Sequence, residues 1–247
     1  FEKVSFEYPD DHNKVFTDLN LQIHAGEKVA IVGPSGGGKT TLCNLIPRFY
    51  DASEGRVLFD GADVKEYPME KLRGKIGIVP QKATLFRGTI RANIQWGKQD
   101  ATDEEIYEAL EIAQAKEFVQ EKPKALDTMI SQGGKNLSGG QRQRLTIARA
   151  LVRKPEVLIL DDSASALDFA TDAKLRKAIA ERTKNMTVFL VSQRAASILH
   201  ADKIIVMDDG MVAGIGTHQQ LLKTCEVYRE ICYSQLSKEE VEQYEKE

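Results

Sequence analysis

The sequence predicts an α/β protein with a mostly parallel core sheet, an antiparallel β region towards the N-terminal end and an inserted helical segment. Three observations carry this. The short continuous apolar runs VAIV (29–32), IGIV (76–79), VLIL (157–160), VFLV (188–191) and KIIVM (203–207) suit strands buried on both faces of a parallel sheet. The opening FEKVSFEYP and then LNLQIHAGE alternate apolar and polar residues as half-exposed strands do, and RVLFDGADV reads as a further strand entering a turn at Asp60-Gly61. Between IGIV and VLIL there is no strand signal at all, so that stretch reads as helical.

Each element follows in turn. After VAIV the stretch TTLCNLIPRF has the character of a helix. In the long middle region Thr102 stands three residues before Glu105, a capping-box spacing, and Ile106, Ala109, Leu110 and Ala113 then fall on one face. The expected organisation is a core of residues 1–84 with 155–236, including the antiparallel β part, and a helical subdomain of 85–154. The charged end KEEVEQYEKE lacks an apolar stripe, so 237–247 is expected to fray.

Composition narrows the class of function. The 247 residues, 42% hydrophobic and 29% charged, are ordinary for a globular chain that buries a real core. A net charge of -3, with Lys and Arg scattered among Asp and Glu, offers no general attraction to nucleic acid or an anionic membrane. Cys43, Cys225 and Cys232 form neither a CxxC pair nor a zinc spacing, so they read as packing residues in a reducing compartment. No apolar run approaches the roughly 20 residues that span a bilayer, and the charged opening does not read as a signal peptide.

The chemistry is concentrated in two places. GPSGGGKT (33–40) follows the strand VAIV and precedes a helix, the context that makes G-x-x-x-x-G-K-[ST] a phosphate loop and the core a P-loop NTPase. Its glycines leave backbone N–H groups to curl around an anion, with the next helix pointing its positive end the same way. Lys39 is then placed to bridge β- and γ-phosphates and Thr40 to ligate Mg²⁺. In VLILDDSASALD (157–168) a buried strand runs into two adjacent carboxylates, which repel each other and need a cation or a reacting proton nearby. Asp161 fits the metal-holding carboxylate of phosphate-loop nucleotidases. Asp162 fits either a base that orients and deprotonates the attacking water or a simple helix cap.

With LSGGQ at 137–141 the chain resembles the nucleotide-binding domain of ATP-binding cassette (ABC) transporters, and the resemblance covers nearly the whole length. Tyr8 in FEYP matches the aromatic residue that stacks on adenine, GPSGGGKT matches Walker A and Gln81 in IVPQ matches the Q-loop. LSGGQRQRLTIARAL matches the signature helix, VLILDD the Walker B strand and SALD the D-loop. The resemblance implies ATP and Mg²⁺ as ligands. Gly33, Pro34, Ser35, Gly36, Gly37, Gly38, Lys39, Thr40 and Thr41 would hold the nucleotide, and Thr40, Gln81 and Asp161 the metal. Gln81, Asp162 and Gln193 would act in catalysis. It also implies a head-to-tail dimer in which Ser138, Gly139, Gly140 and Gln141 complete the site of a second nucleotide-binding domain.

LFRGTIRANIQWG and GIGTHQQLL resemble multidrug and lipid exporters, whose transmembrane domain lies on the same polypeptide. The short interval from Gln81 to Leu137 leaves no room for the coiled coil of chromosome-maintenance ATPases. The implied place of work is the cytoplasmic face of the membrane, with the chain a fragment or a separate subunit held there by transmembrane domains, and nucleic acid is not an expected partner.

Three positions depart from the family pattern. Asp162 stands where the family has Glu, one methylene longer. Gln193 in VSQRAAS replaces the switch histidine, and SQGG (131–134) replaces Gly-Glu-Arg-Gly before the signature. The combination resembles the degenerate half of a heterodimeric bacterial exporter. A homodimeric ATPase using Asp as its base and a nucleotide-gated module that does not hydrolyse ATP remain the alternatives.

Overall fold

A computed structural model describes residues 1–10 and 14–235; the expected frayed tail, 237–247, lies outside them. Along the chain run β1 (Glu2–Glu7), β2 (Lys14–Leu19), β3 (Lys28–Val32), α1 (Lys39–Leu45), β4 (Glu54–Arg56), β5 (Leu58–Phe59), β6 (Ala62–Asp63) and α2 (Met69–Gly74). Next come β7 (Ile76–Val79), β8 (Gly88–Thr89), α3 (Ile90–Gln95), α4 (Asp103–Ile112), α5 (Lys116–Gln120), β9 (Met129–Ile130) and α6 (Gly139–Leu151). The chain continues through β10 (Val157–Asp161), α7 (Phe169–Arg182), β11 (Thr187–Val191), α8 (Ala195–Ile198), β12 (Lys203–Asp208), β13 (Met211–Gly216), α9 (His218–Thr224) and α10 (Glu226–Tyr233). They belong to two compact units, one of Phe1–Arg73 with Thr187–Glu247 and one of Gly74–Met186.

In the first unit β11 and β12 flank β3, both parallel to it, and β13 closes the edge antiparallel to β12. The expected apolar runs are these strands. Val29, Ala30, Ile31 and Val32 are buried without a break, as are Ile204 to Met207, because layers cover both faces. The N-terminal region is antiparallel as expected, with β1 between β2 and β4. Its strand boundaries differ, however. LNLQIHAGE forms no strand beyond Leu19, where β2 ends, although Leu21 exchanges two main-chain bonds with Phe1. Leu19, which ends β2 opposite Val4, and Leu21, bonded to Phe1, are both buried, and these two give the stretch its alternation. RVLFDGADV divides into β5 and β6 about Asp60 (φ 50) and Gly61 (φ 79), the positive pair that a type I′ hairpin requires. A second such pair, Asp209 and Gly210, makes the β12–β13 hairpin, whose DG signal marks a strand that the apolar runs alone did not reveal.

In the second unit β10 lies parallel to β7. The helical segment is there, with one difference: β8 and β9 pair within it, too short at two residues each to leave a periodic signal. Helix α4 begins on the expected capping box, Thr102 Oγ1 accepting from the Glu105 amide and the Glu105 carboxylate from the Thr102 amide. Ile106, Ala109 and Leu110 are buried on its inner face. Cys43, Cys225 and Cys232 are buried and form no disulfide.

Candidate nucleotide site

In the first unit the segment 33–41 leaves the end of β3 and enters α1. The backbone at Gly33 takes φ 145, and a Cβ there would stand 1.9 Å from the Met207 carbonyl oxygen, so only glycine lets the loop pass the end of β12. Gly38, at φ 89, is the N-cap of α1 and has no side chain with which to cap it. The first amides of α1 thus meet the loop with no capping side chain from that position. Lys39 is 8% exposed, and its Nζ donates to the carbonyls of Gly33 (2.9 Å) and Pro34 (2.5 Å). Gly37 N also donates to Pro34 O, which tightens the turn, while Ser35, Gly36 and Thr40 are exposed. One buried-stem cation, a run of backbone donors and an exposed hydroxyl at Thr40 form a donor set that fits a polyphosphate with its metal.

Two other expected residues belong to the same unit and reach this loop. Gln193 Nε2 lies 3.4 Å from Ser35 Oγ. Tyr8 shares a 2.7 Å hydrogen bond with Thr41 Oγ1, and its ring meets Phe6 and Tyr50 edge-on at 5.0 and 5.3 Å. The phenol is therefore tied to α1 while the ring is braced from two sides, a fixing of Tyr8 that its position in the sequence does not disclose.

The second unit carries the carboxylates. β10 ends on Asp161, and Asp162 turns the chain at φ 45, its carbonyl accepting from Ser165 N and Oγ. Gln81 Nε2 donates to Asp162 Oδ2 at 3.0 Å, bringing the Gln81 amide onto the second carboxylate. Asp162 is not a helix cap: the cap of α7 is Asp168, which accepts from Thr171 N and Oγ1. These bonds hold the Asp168 carboxyl below its ordinary range. The Asp168-x-x-Thr171 spacing was the legible signal for that cap.

In the same unit Ser138 caps α6. Its Oγ accepts from Gln141 N at 3.2 Å, and Gln141 Oε1 accepts from Ser138 N at 3.1 Å. Arg142 Nη1 donates to Leu137 O at 2.7 Å and so fixes the entry to the helix. A serine that caps by accepting keeps its own O–H as a donor, and the amides of Gly139 and Gly140 lie in the first turn, where no intrahelical acceptor exists. Capping a structural helix and presenting donors to a phosphate are compatible here. The sites expected from the sequence thus form two groups: Tyr8, the 33–41 loop and Gln193 in one unit, and Gln81, Asp161, Asp162 and 138–141 in the other.

The family model described as ABC transporter matches residues 16–165. The chain belongs to the ABC transporter family. Among its relatives, YwjA of Bacillus subtilis (strain 168), an uncharacterised ABC transporter ATP-binding protein, is 46% identical over 235 residues, 95% of this chain and 41% of that protein. YgaD of the same organism, named provisionally as a multidrug export ATP-binding/permease protein, is 46% identical over 222 residues, 90% of this chain and 38% of its own length. Among solved structures, a bacterial Atm1-family ABC exporter with ATP bound matches with a TM-score of 0.92 at 37% identity, over 96% of this chain and 42% of that one. The chain spans about two fifths of the length of these relatives. The α/β fold expected from the sequence is the one observed.

Proposed function

We propose that this chain is the ATP-binding domain of an exporter, driving transport by binding and hydrolysing Mg-ATP in a head-to-tail pair with a second, non-identical nucleotide-binding domain. The Gln81–Asp162 contact of 3.0 Å carries the reading best, because it sets the Q-loop amide on the carboxylate that would serve as base. Tyr8 stacks on adenine, the 33–41 loop wraps the phosphates, and Lys39 turns from the loop carbonyls to the β- and γ-oxygens. Thr40, Gln81 and Asp161 are the residues that would hold Mg²⁺, whose charge stabilises the charge developing on the phosphates. Among the described residues no three His, Cys, Asp or Glu side chains gather as a self-sufficient metal site, so this ion would rely on phosphate oxygens as well. Segment 85–154 serves as the signature subdomain, with Ser138, Gly139, Gly140 and Gln141 completing the partner's site.

The chain's own site is weak in this reading. Asp162 retracts its carboxylate by about 1.5 Å relative to Glu, which lowers the rate on the order of 10²-fold, about 2.7 kcal/mol of barrier. Gln193 can donate to a γ-phosphate but carries no proton. No helix among the described residues is long and apolar enough to cross a membrane. Attachment to the cytoplasmic face is assigned to a transmembrane domain, and the exposed stack of Phe86 on Trp96, within LFRGTIRANIQWG, supports its docking there.

The test is the ATPase rate of this chain alone and then mixed with a domain whose second carboxylate is Glu. Turnover that emerges only in the mixture is the expected result. Robust turnover alone marks a homodimeric ATPase, and none in either case a nucleotide-gated module. Adenine stacking has its own check: Tyr8→Ala should weaken ATP binding about 5-fold, on the order of 1 kcal/mol, while Tyr8→Phe stays near the parent because it keeps the ring. Parental affinity in Tyr8→Ala makes Tyr8 a packing residue.

A further inference from the structure

The loop that presents Gln193 leaves the end of β11 and enters the four-residue helix α8, so few of its backbone groups belong to any ladder. Side chains hold them instead. Ser192 Oγ accepts from Arg194 N at 3.0 Å. Gln235 does the rest from 42 residues away: its Nε2 donates to Gln193 O at 2.5 Å and its Oε1 accepts from Ala195 N at 2.9 Å. Arg194, the N-cap of α8, gives that helix no side-chain cap, so the Gln235 amide supplies it.

Gln235 follows a helix that is anchored in the core. Tyr228 and Cys232 on α10 are fully buried in one apolar cluster with Ala195 and Ile198 of α8. Tyr228 Oη is hydrogen-bonded to His218 Nδ1 at 2.8 Å, which joins α10 to α9. Gln235 N bonds to Cys232 O, so the chain curls back at the exit of α10 and turns its side chain to the loop.

We propose that Gln235 is a positioning residue for Gln193, gripping the backbone on both sides of it so that the Gln193 amide faces the phosphate loop at Ser35 and reads the γ-phosphate of bound nucleotide. This rests on the reading of Gln193 given above. The grip acts on nucleotides that have a γ-phosphate and is indifferent to those that lack one.

The experiment compares binding of ADP and of the β,γ-imido analogue of ATP, both with Mg²⁺, to the full chain and to its Gln235→Ala, Gln235→Glu, Gln193→Ala and doubly substituted Gln193→Ala/Gln235→Ala forms, together with amide exchange at Ala195. In Gln235→Ala the analogue should bind about 5-fold more weakly with ADP affinity unchanged, and Ala195 should exchange at least tenfold faster. Gln235→Glu, which keeps the acceptor for Ala195 N but loses the donor to Gln193 O, should retain the protection and fall between parent and Ala in affinity. The double substitution should bind the analogue no more weakly than Gln193→Ala. Unchanged exchange at Ala195 overturns the grip itself. Faster exchange with unchanged analogue affinity, in a chain where Gln193→Ala does lower that affinity, overturns the positioning role, as does an equal loss for both nucleotides. Should Gln193→Ala bind the analogue as the parent does, the γ-phosphate reading of Gln193 fails, and the proposal falls with it.

Discussion

Replacing Lys39 by Ala is expected to reduce Mg-ATP affinity by at least about 100-fold, about 2.7 kcal/mol, with the fold intact. The Lys39 Nζ sits on the Gly33 and Pro34 carbonyls at the mouth of the loop, so the substitution removes both the cation that meets the β- and γ-oxygens and the brace that shapes the loop around them. Lys39→Arg should fail almost as badly. The guanidinium is planar and larger, while the cradle passes so close to Met207 that Gly33 tolerates no Cβ, which leaves the loop little freedom to widen. Isothermal titration with ATP and Mg²⁺, beside a thermal melt of each variant, separates lost binding from lost folding. Unaltered affinity in a folded Lys39→Ala chain would sink the assignment of the loop.

Much of this site was legible because its chemistry is local in sequence. GPSGGGKT, LSGGQ and VLILDD each place backbone donors or carboxylates within a few residues, and continuous burial leaves its mark on runs such as VAIV. What escaped is what depends on distant partners or on very short pairings. The Tyr8–Thr41 bond and the Gln235 grip join residues 33 and 42 positions apart, and nothing in either stretch announces the other. β8 and β9 are too short to show a period. LNLQIHAGE reads as a strand because Leu19 and Leu21 are both buried, yet only Leu19 belongs to β2. Asp162 reads from the sequence as a base or as a helix cap, and the residue that caps α7 is Asp168.

The two departures, Asp162 and Gln193, give the second large effect, an asymmetry between two sites in the assembled pair. Asp162→Glu with Gln193→His should raise hydrolysis at this chain's own loop by one to two orders of magnitude, on the order of the 10²-fold loss ascribed to the shorter carboxylate. The longer side chain also has to share the Gln81 amide that Asp162 now accepts, so the gain depends on the Q-loop following it. Ser138→Arg should do the reverse elsewhere. It removes the cap that accepts from Gln141 N and puts bulk where the Ser138 hydroxyl and the Gly139 and Gly140 amides would meet phosphate. Turnover at the partner's loop should then vanish, while ATP occupancy at this chain's loop persists, because in a head-to-tail pair that loop is completed by the partner's signature. Site-resolved turnover in the reconstituted pair, with each Walker lysine disabled in turn, measures both effects. If Ser138→Arg spares the partner's turnover, or if the unmodified chain hydrolyses ATP as fast alone as in the pair, the division of labour is wrong and Asp161-Asp162 is a working variant of Asp-Glu.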